Sequence, residues 1–290
     1  MRVEKKFSPA GAAIDLMICL YALFCILPFV LVFITSFASE RSIALKGYTF
    51  FPAELSLNAY RMIFGQNSTV LRGYGISLLV TSLGTFLAVL ITYGAGYTLA
   101  NKLCKYRNGL SLYFFITMVF SAGLVPWYLV SRTIGAFNNI WALIVPSLIF
   151  SPYNLFLVRN FIKGIPDTLN ESARMDGAGE ILIAFRIYLP LCLPVLATVA
   201  LFYAIGYWNN YFNAVMLVND SHIQPLQMLL FNIQSTITGM NRMVSGARVT
   251  PPRETFKMAA SIITMGPIVL LYPFLQRYFV KGVIVGAIKG

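Results

Sequence analysis

The chain has 290 residues, of which 58% are hydrophobic and 11% charged, and it carries a net charge of +12. Its mean hydropathy of +0.73 lies outside the range of ordinary soluble domains. A nucleic-acid binder is excluded as well, because the basic residues are spread between apolar runs and form no patch interleaved with aromatics. The chain therefore reads as an integral membrane protein whose Lys and Arg serve first as a topology signal. Cys19, Cys25, Cys104 and Cys192 show no metal-type spacing and read as packing residues.

In chain order, the basic start MRVEKK precedes an apolar run at 14–37. That run is too long for a signal-peptide core, so a retained first span is expected, with residues 1–13 cytoplasmic. Pro28 within it is tolerable in lipid. A mixed polar loop follows at 38–72. The second span, 73–100, is rich in small residues (Gly75, Ser77, Gly84, Gly94, Gly96), which suits close helix contacts in lipid. The short loop NKLCKYRNG, with Lys102, Lys105 and Arg107, points to the cytoplasmic side.

The third span is expected at 110–130, kinked by Pro126, and the fourth at 140–161, leaving the membrane at Arg159 and Lys163. The fifth runs 191–218. A second long loop, 219–254, holds the only histidine, His222. The sixth span, 255–279, is interrupted by Gly266, Pro267 and Pro273, and a basic tail occupies 282–290. The expectation is an all-α polytopic protein with six transmembrane helices filling 14–281 and both termini cytoplasmic.

Between the fourth and fifth spans lies a charged island, Ile165 to Pro190, holding four of the ten acidic residues. Asp167 supplies an N-cap or first-turn acid, so a short helix is expected to begin there. Gly177 is expected to end it in a left-handed turn before apolar periodicity resumes at Ile181, Phe185 and Tyr188. Helix, glycine turn, helix is the expected order, with neither piece long enough to cross a bilayer. Such an element lies in water against a membrane face and reads as a docking surface.

The apolar segments are as informative for what they lack. The central stretches of the second to sixth spans hold no Asp, Glu, Lys, Arg or His. Proton- and ion-coupled carriers place ionisable groups in the membrane, so this absence argues against self-energised transport. No glycine loop of the phosphate-cradling type occurs, and no catalytic constellation; His222 reads as a solvated loop residue. The chain is not expected to be an enzyme.

The island also carries a pattern. Glu171-Ser172-Ala173, Gly177, then Ile187, Leu189 and Pro190 stand at the spacing of the EAA motif, and Asp176-Gly177-Ala178 adds a DGA. Ser172 replaces the usual first alanine, a small-for-small change. This resembles the permease subunits of ATP-binding-cassette importers. FNNIWALIVPSLIFSPYNLFLVRNFIKGIP and YWNNYFNAVM resemble the smaller permease of the carbohydrate-importing, maltose-type pair, in the branch that takes polysaccharide fragments such as those of alginate or pectin. The resemblance implies a type I importer permease fold in the bacterial plasma (inner) membrane. It also implies a second permease subunit, two ATPase subunits that bind the ATP and Mg, and an extracytoplasmic solute-binding protein. This chain itself would hold no cofactor. Glu171, Ser172, Ala173, Asp176, Gly177, Ile187, Leu189 and Pro190 would couple to the ATPase, and Gly286, Lys289 and Gly290 of the tail would contact it.

Two readings stay open for Trp208, Asn209, Tyr211 and Asn213. They could line a translocation path, since aromatic faces stack on sugar rings and amides bond hydroxyls, or they could be an interfacial aromatic belt. On the expected topology the outer loops hold nine Lys or Arg against Glu40, Glu54, Asp220 and Glu254. That excess would concentrate an anionic oligosaccharide, over a screening length of about 8–10 Å. A uronate-containing oligosaccharide is the expected cargo. The alternative is a self-contained secondary carrier or channel for a small polar solute.

Overall fold

The computed structural model describes residues 9–65, 67–146, 148–243, 254–267 and 269. Among them the regular structure is helical, apart from one isolated antiparallel bridge between Ala38 and Leu55. The chain divides into two compact units, one of residues 1–67 with 232–266 and one of 68–231 with 267–290.

The first unit opens with α1 (Pro9–Ser36), which contains Pro28 and whose residues 13–30 are exposed throughout within this chain. The polar segment after it is ordered by caps. Ser39 closes the start of α2 (Glu40–Lys46) by accepting from Ser42 N–H at 3.0 Å, and α3 (Asn58–Phe64) follows. Tyr60 of α3 stacks on Phe37 at 4.9 Å and shares a 2.8 Å hydrogen bond with Ser36. Residues 254–267 are helical, and the Glu40 carboxylate accepts from the backbone N–H groups of Glu254 (3.0 Å) and Thr255 (3.1 Å) at that helix's start. An anion there satisfies orphan donors and meets the positive end of the dipole. Tyr48 donates to Glu254 at 2.8 Å, and that bond is the main reason its phenol is held above the usual tyrosine value.

The second unit is built on α4 (Asn67–Ala100) and a second long helix. The latter joins α10 (Glu180–Leu182), a π-helical turn at Ile183–Tyr188 and α11 (Leu189–Trp208) into 29 unbroken residues. The island's second helix is therefore not a separate short piece, as its sequence suggested, but the start of the fifth apolar segment. Proline chemistry explains the join. Pro190 has no N–H to give the preceding turn, and the chain widens just before it, with Leu189 N–H donating to Ala184 O, five residues back. The Tyr93 hydroxyl of α4 also donates to Ala184 O. Where the two long helices meet, a Cβ built on Gly84 would stand 2.6 Å from the ring of Tyr207, so this approach requires glycine.

The expected third and fourth spans are each interrupted. Residues 110–130 divide into α5 (Arg107–Val119) and α6 (Leu124–Thr133), with an extended break at 120–123. Pro126 was expected to kink this span; instead it sits in the first turn of α6, where its missing N–H costs nothing. Residues 140–161 divide into α7 (Trp141–Ile144) and α8 (Pro152–Lys163), with Pro146 and Pro152 bracketing the break and Ser151 capping α8. The interrupted backbone is bonded by side chains from far along the chain. Tyr207 donates to Ile144 O at 3.0 Å and the Asn213 amide to Pro146 O at 2.7 Å, while the Tyr203 hydroxyl accepts from Ser151 N–H at 2.9 Å. Backbone that leaves the helix in an apolar setting needs such partners.

Beyond α8 come α9 (Thr168–Met175), α12 (Phe212–Leu217) and α13 (Leu226–Met243). The last lies in the expected second long loop. Leu226, Met228, Leu229 and Leu230 bury its start, and Leu226 N–H bonds Ser77 Oγ at 2.9 Å. His222 is exposed, as expected, and its Nδ1 stands 2.7 Å from the Arg72 guanidinium.

Candidate coupling site

The short helix of the island is α9, and its closing turn explains why the motif has its residue types. Asp176, Gly177 and Ala178 occupy the cap and the two positions after it. Gly177 N–H donates to Arg174 O at 3.0 Å and Ala178 N–H to Ala173 O at 2.9 Å, with Gly177 at φ +79°. This is a Schellman closure, which requires a residue able to turn left-handed at Gly177. A Cβ on Gly177 would meet nothing within 4 Å, so within this chain the requirement is one of backbone conformation and not of space. Ala173 is buried in the core and Ala178 packs against the same cluster, so both small residues seat the turn on the protein.

Helix α9 begins where expected, with Asp167 at the N-cap position, but the side-chain cap is not made. Asp167 lies in the helical region at φ −62°, ψ −25° and makes no cap bond, because a capping side chain needs an extended backbone to fold back on its helix. Its carboxylate pairs instead with Lys102 from the 101–106 loop, and that hydrogen bond raises the lysine above its ordinary value.

Sequence reasoning missed the residue that fastens the helix. Glu180 takes Arg174 of α9 as an ion pair on one oxygen, and on the other accepts from Tyr97 and from the Asn101 amide, each at 3.1 Å. Arg174 also donates to Asn170 at 3.0 Å. The signal available was the acid three residues past Gly177, which reads equally as an ordinary first-turn acid. The Arg174 and Glu180 side chains are 34% and 46% exposed, so solvent screens the pair. Glu180→Ala is expected to loosen α9 by about 1 kcal/mol or less, seen as up to about fivefold faster amide exchange over 168–175 while α11 is unchanged. Unchanged exchange in α9 would show that the clamp does not hold it.

With α9 so fixed, Met175 (88% exposed) and Ile181 (77%) project apolar surface, flanked by exposed Glu171, Ser172 and Asp176. Behind the helix a cleft of 610 Å³ is lined by Lys102, Arg107, Lys163, Asp167, Glu171 and Arg174, among others. Glu171 makes no ion pair among the described residues. Ile187 and Leu189 are half-buried and Pro190 exposed on the long helix.

The other candidate residues divide. Trp208 and Asn213 are buried, the latter committed to Pro146 O, whereas Asn209 and Tyr211 are exposed. Tyr211 stacks on Phe231 at 5.5 Å, and Gln227 donates to the Asn209 amide oxygen at 3.5 Å. Gly286, Lys289 and Gly290 lie outside the described residues.

Three of the described helical stretches, Ala13–Ser36, Thr69–Ala100 and Glu180–Trp208, are long and apolar enough to cross a membrane. The chain is similar to known proteins over nearly its whole length. Residues 14–285 match the family described as binding-protein-dependent transport system inner membrane component. It is 41% identical over 267 residues to Protein LplC of Bacillus subtilis, covering 91% of this chain and 90% of that one. It is 38% identical over 273 residues to the polygalacturonan/rhamnogalacturonan transport system permease protein YtcP of the same organism, covering 93% and 95%. A chain of a solved bacterial ABC transporter involved in the import of the acidic polysaccharide alginate superposes with a TM-score of 0.78 at 26% identity, covering 94% of this chain and 99% of that one. The chain belongs to the binding-protein-dependent transport system inner membrane components: it is a multi-pass permease of an ATP-binding-cassette importer, a membrane component and not a catalytic one.

Proposed function

We propose that this permease forms half of the pathway for an acidic oligosaccharide of a few uronate-containing units, and that α9 with its Gly177 turn is the element through which ATPase subunits drive it. The observation that carries the reading is the helix end itself. A Schellman-closed, clamped helix that leaves Met175 and Ile181 in the open has the form of a rigid tooth for a cleft in a partner. In this reading the six spans expected at 14–37, 73–100, 110–130, 140–161, 191–218 and 255–279 make a type I importer fold with both termini cytoplasmic. The protein pairs with a second permease and two ATPase subunits that hold ATP and Mg, and it receives its cargo from a solute-binding protein. The tail at Gly286–Gly290 reaches the ATPases.

The cargo class is supported by the relatives, whose names refer to polygalacturonan, rhamnogalacturonan and alginate. Cationic outer segments, including Arg132 over the rings of Phe137 (4.6 Å) and Tyr128 (5.8 Å), favour the approach of anions. The exposed Tyr211 and Asn209 supply a stacking face and an amide for a sugar. The test is uptake by the complete importer in vesicles, comparing unsaturated alginate or pectin fragments with neutral glucans and mannans. Uptake and stimulated ATP hydrolysis are expected with the acidic fragments, and uptake confined to neutral sugars would reject the assignment.

A further inference from the structure

One concentration of charge is left over by the coupling role. Arg107, Ser111 and Phe114 share the half-buried face of α5, and that face packs on α8 and the break before it, with Phe114 against Phe150 at 5.1 Å. At the Arg107 end the α8 residues are Arg159 and Lys163, one turn apart. Among the described residues none of these three cations has a carboxylate partner. Of the two acids lining the same cleft, Asp167 is taken by Lys102 and Glu171 is engaged with neither Arg107 nor Lys163. The Nε of Arg159 is buried without a hydrogen-bond partner. Burial, and then repulsion from Arg159 and Arg107, pushes the Lys163 ammonium below the usual lysine value. Lys163 is exposed and Arg107 and Arg159 half-buried, so the cost falls on the buried Arg159 Nε, whose missing acceptor a bound anion would supply.

We infer that Arg107, Arg159 and Lys163 form a binding site for the phosphate headgroup of an acidic phospholipid. Helix α5 begins at Arg107 with no side-chain cap, so the positive end of its dipole lies at that residue. A lipid is favoured over a soluble phosphate because of what adjoins the charges. The remaining faces of α5 expose Leu112, Tyr113, Phe115, Ile116 and Val119, so a molecule with both a phosphate and acyl chains meets the cations and the apolar face together. That the leaflet is the cytoplasmic one rests on the topology proposed above; binding itself does not, so loss of that topology would leave the lipid result standing.

The experiment uses the whole purified importer in nanodiscs of phosphatidylcholine with phosphatidylglycerol, with retained lipid read by native mass spectrometry. Wild type is expected to retain phosphatidylglycerol selectively. The double variant Arg107→Gln with Lys163→Gln is expected to bind it roughly 30-fold more weakly, from about a fivefold loss per basic residue, whereas Arg107→Lys with Lys163→Arg stays close to wild type. In phosphatidylcholine alone the Gln double variant should melt no lower than wild type, because repulsion is relieved. Equal retention by wild type and the Gln variant would overturn the proposal. Displacement of the lipid by inorganic phosphate would make this a free-anion site instead. Loss of the ATPase subunits from the Gln variant would mean that their acids complete the cluster, and would overturn it too.

Discussion

Gly177→Val is expected to leave the permease inserted and folded but to remove at least nine-tenths of the ATP hydrolysis that substrate and binding protein stimulate, about a tenfold loss. At φ +79° a β-branched residue is strained by on the order of 1–2 kcal/mol, and the chain escapes the strain by unwinding the Schellman closure. The two bonds to Arg174 O and Ala173 O then fail, and α9 loses its fixed end. The cost is small against the stability of the whole protein, so the defect falls on transmission and not on folding. Gly177→Asn is the informative companion, because Asn visits the left-handed region at low cost. No neighbour in this chain crowds the site, so Asn should restore most of the stimulation. If Asn is as inactive as Val while the complex still assembles, the glycine is needed for close approach of the ATPase and the conformational account is wrong. Normal stimulation in Gly177→Val would sink the coupling assignment altogether.

Gly84→Leu is expected to prevent recovery of a folded complex. The new Cβ would lie 2.6 Å from the ring of Tyr207, which cannot swing aside without dropping its bond to Ile144 O. Overpacking costs about 1–3 kcal/mol and the stranded carbonyl about 1–3 kcal/mol more, together a large share of the stability of a typical domain. Gly75→Leu, on the same helix with open space around its Cβ, should elute and melt as wild type. The comparison is made by size-exclusion profile and melting temperature in detergent. Equal behaviour of the two variants would show that α4 does not pack as described.

The island was legible because its chemistry is local. A left-handed glycine, its neighbours and the short helix before it are settled within about a dozen residues, and the structure places the turn where the spacing did. The small residues of the second span signalled close packing, which Gly84 realises. What was not legible depends on distant partners. Hydropathy gives runs of apolar residues at 110–130 and 140–161 but cannot show that the chain leaves the helix within them. The groups that make the second break tolerable, Tyr203, Tyr207 and Asn213, stand 52 to 67 positions downstream. The same distance hid Glu180, whose partners Tyr97 and Asn101 lie 83 and 79 positions upstream. Trp208 and Asn213 carry the chemistry of a sugar contact, yet burial and one carbonyl bond occupy them in the fold.

The bonded break between α7 and α8 has a consequence for how the protein is made. Synthesis runs from the amino end, so the 145–151 segment leaves the ribosome before Tyr203, Tyr207 and Asn213 have been translated. During that interval the Ile144 and Pro146 carbonyls and the Ser151 N–H have no partners of their own, and lipid offers none. The segment must therefore wait beside water or the insertion machinery until α11 and α12 arrive. Removing those three side chains would then act first on biogenesis, delaying release of the nascent chain into the bilayer before any transport cycle begins.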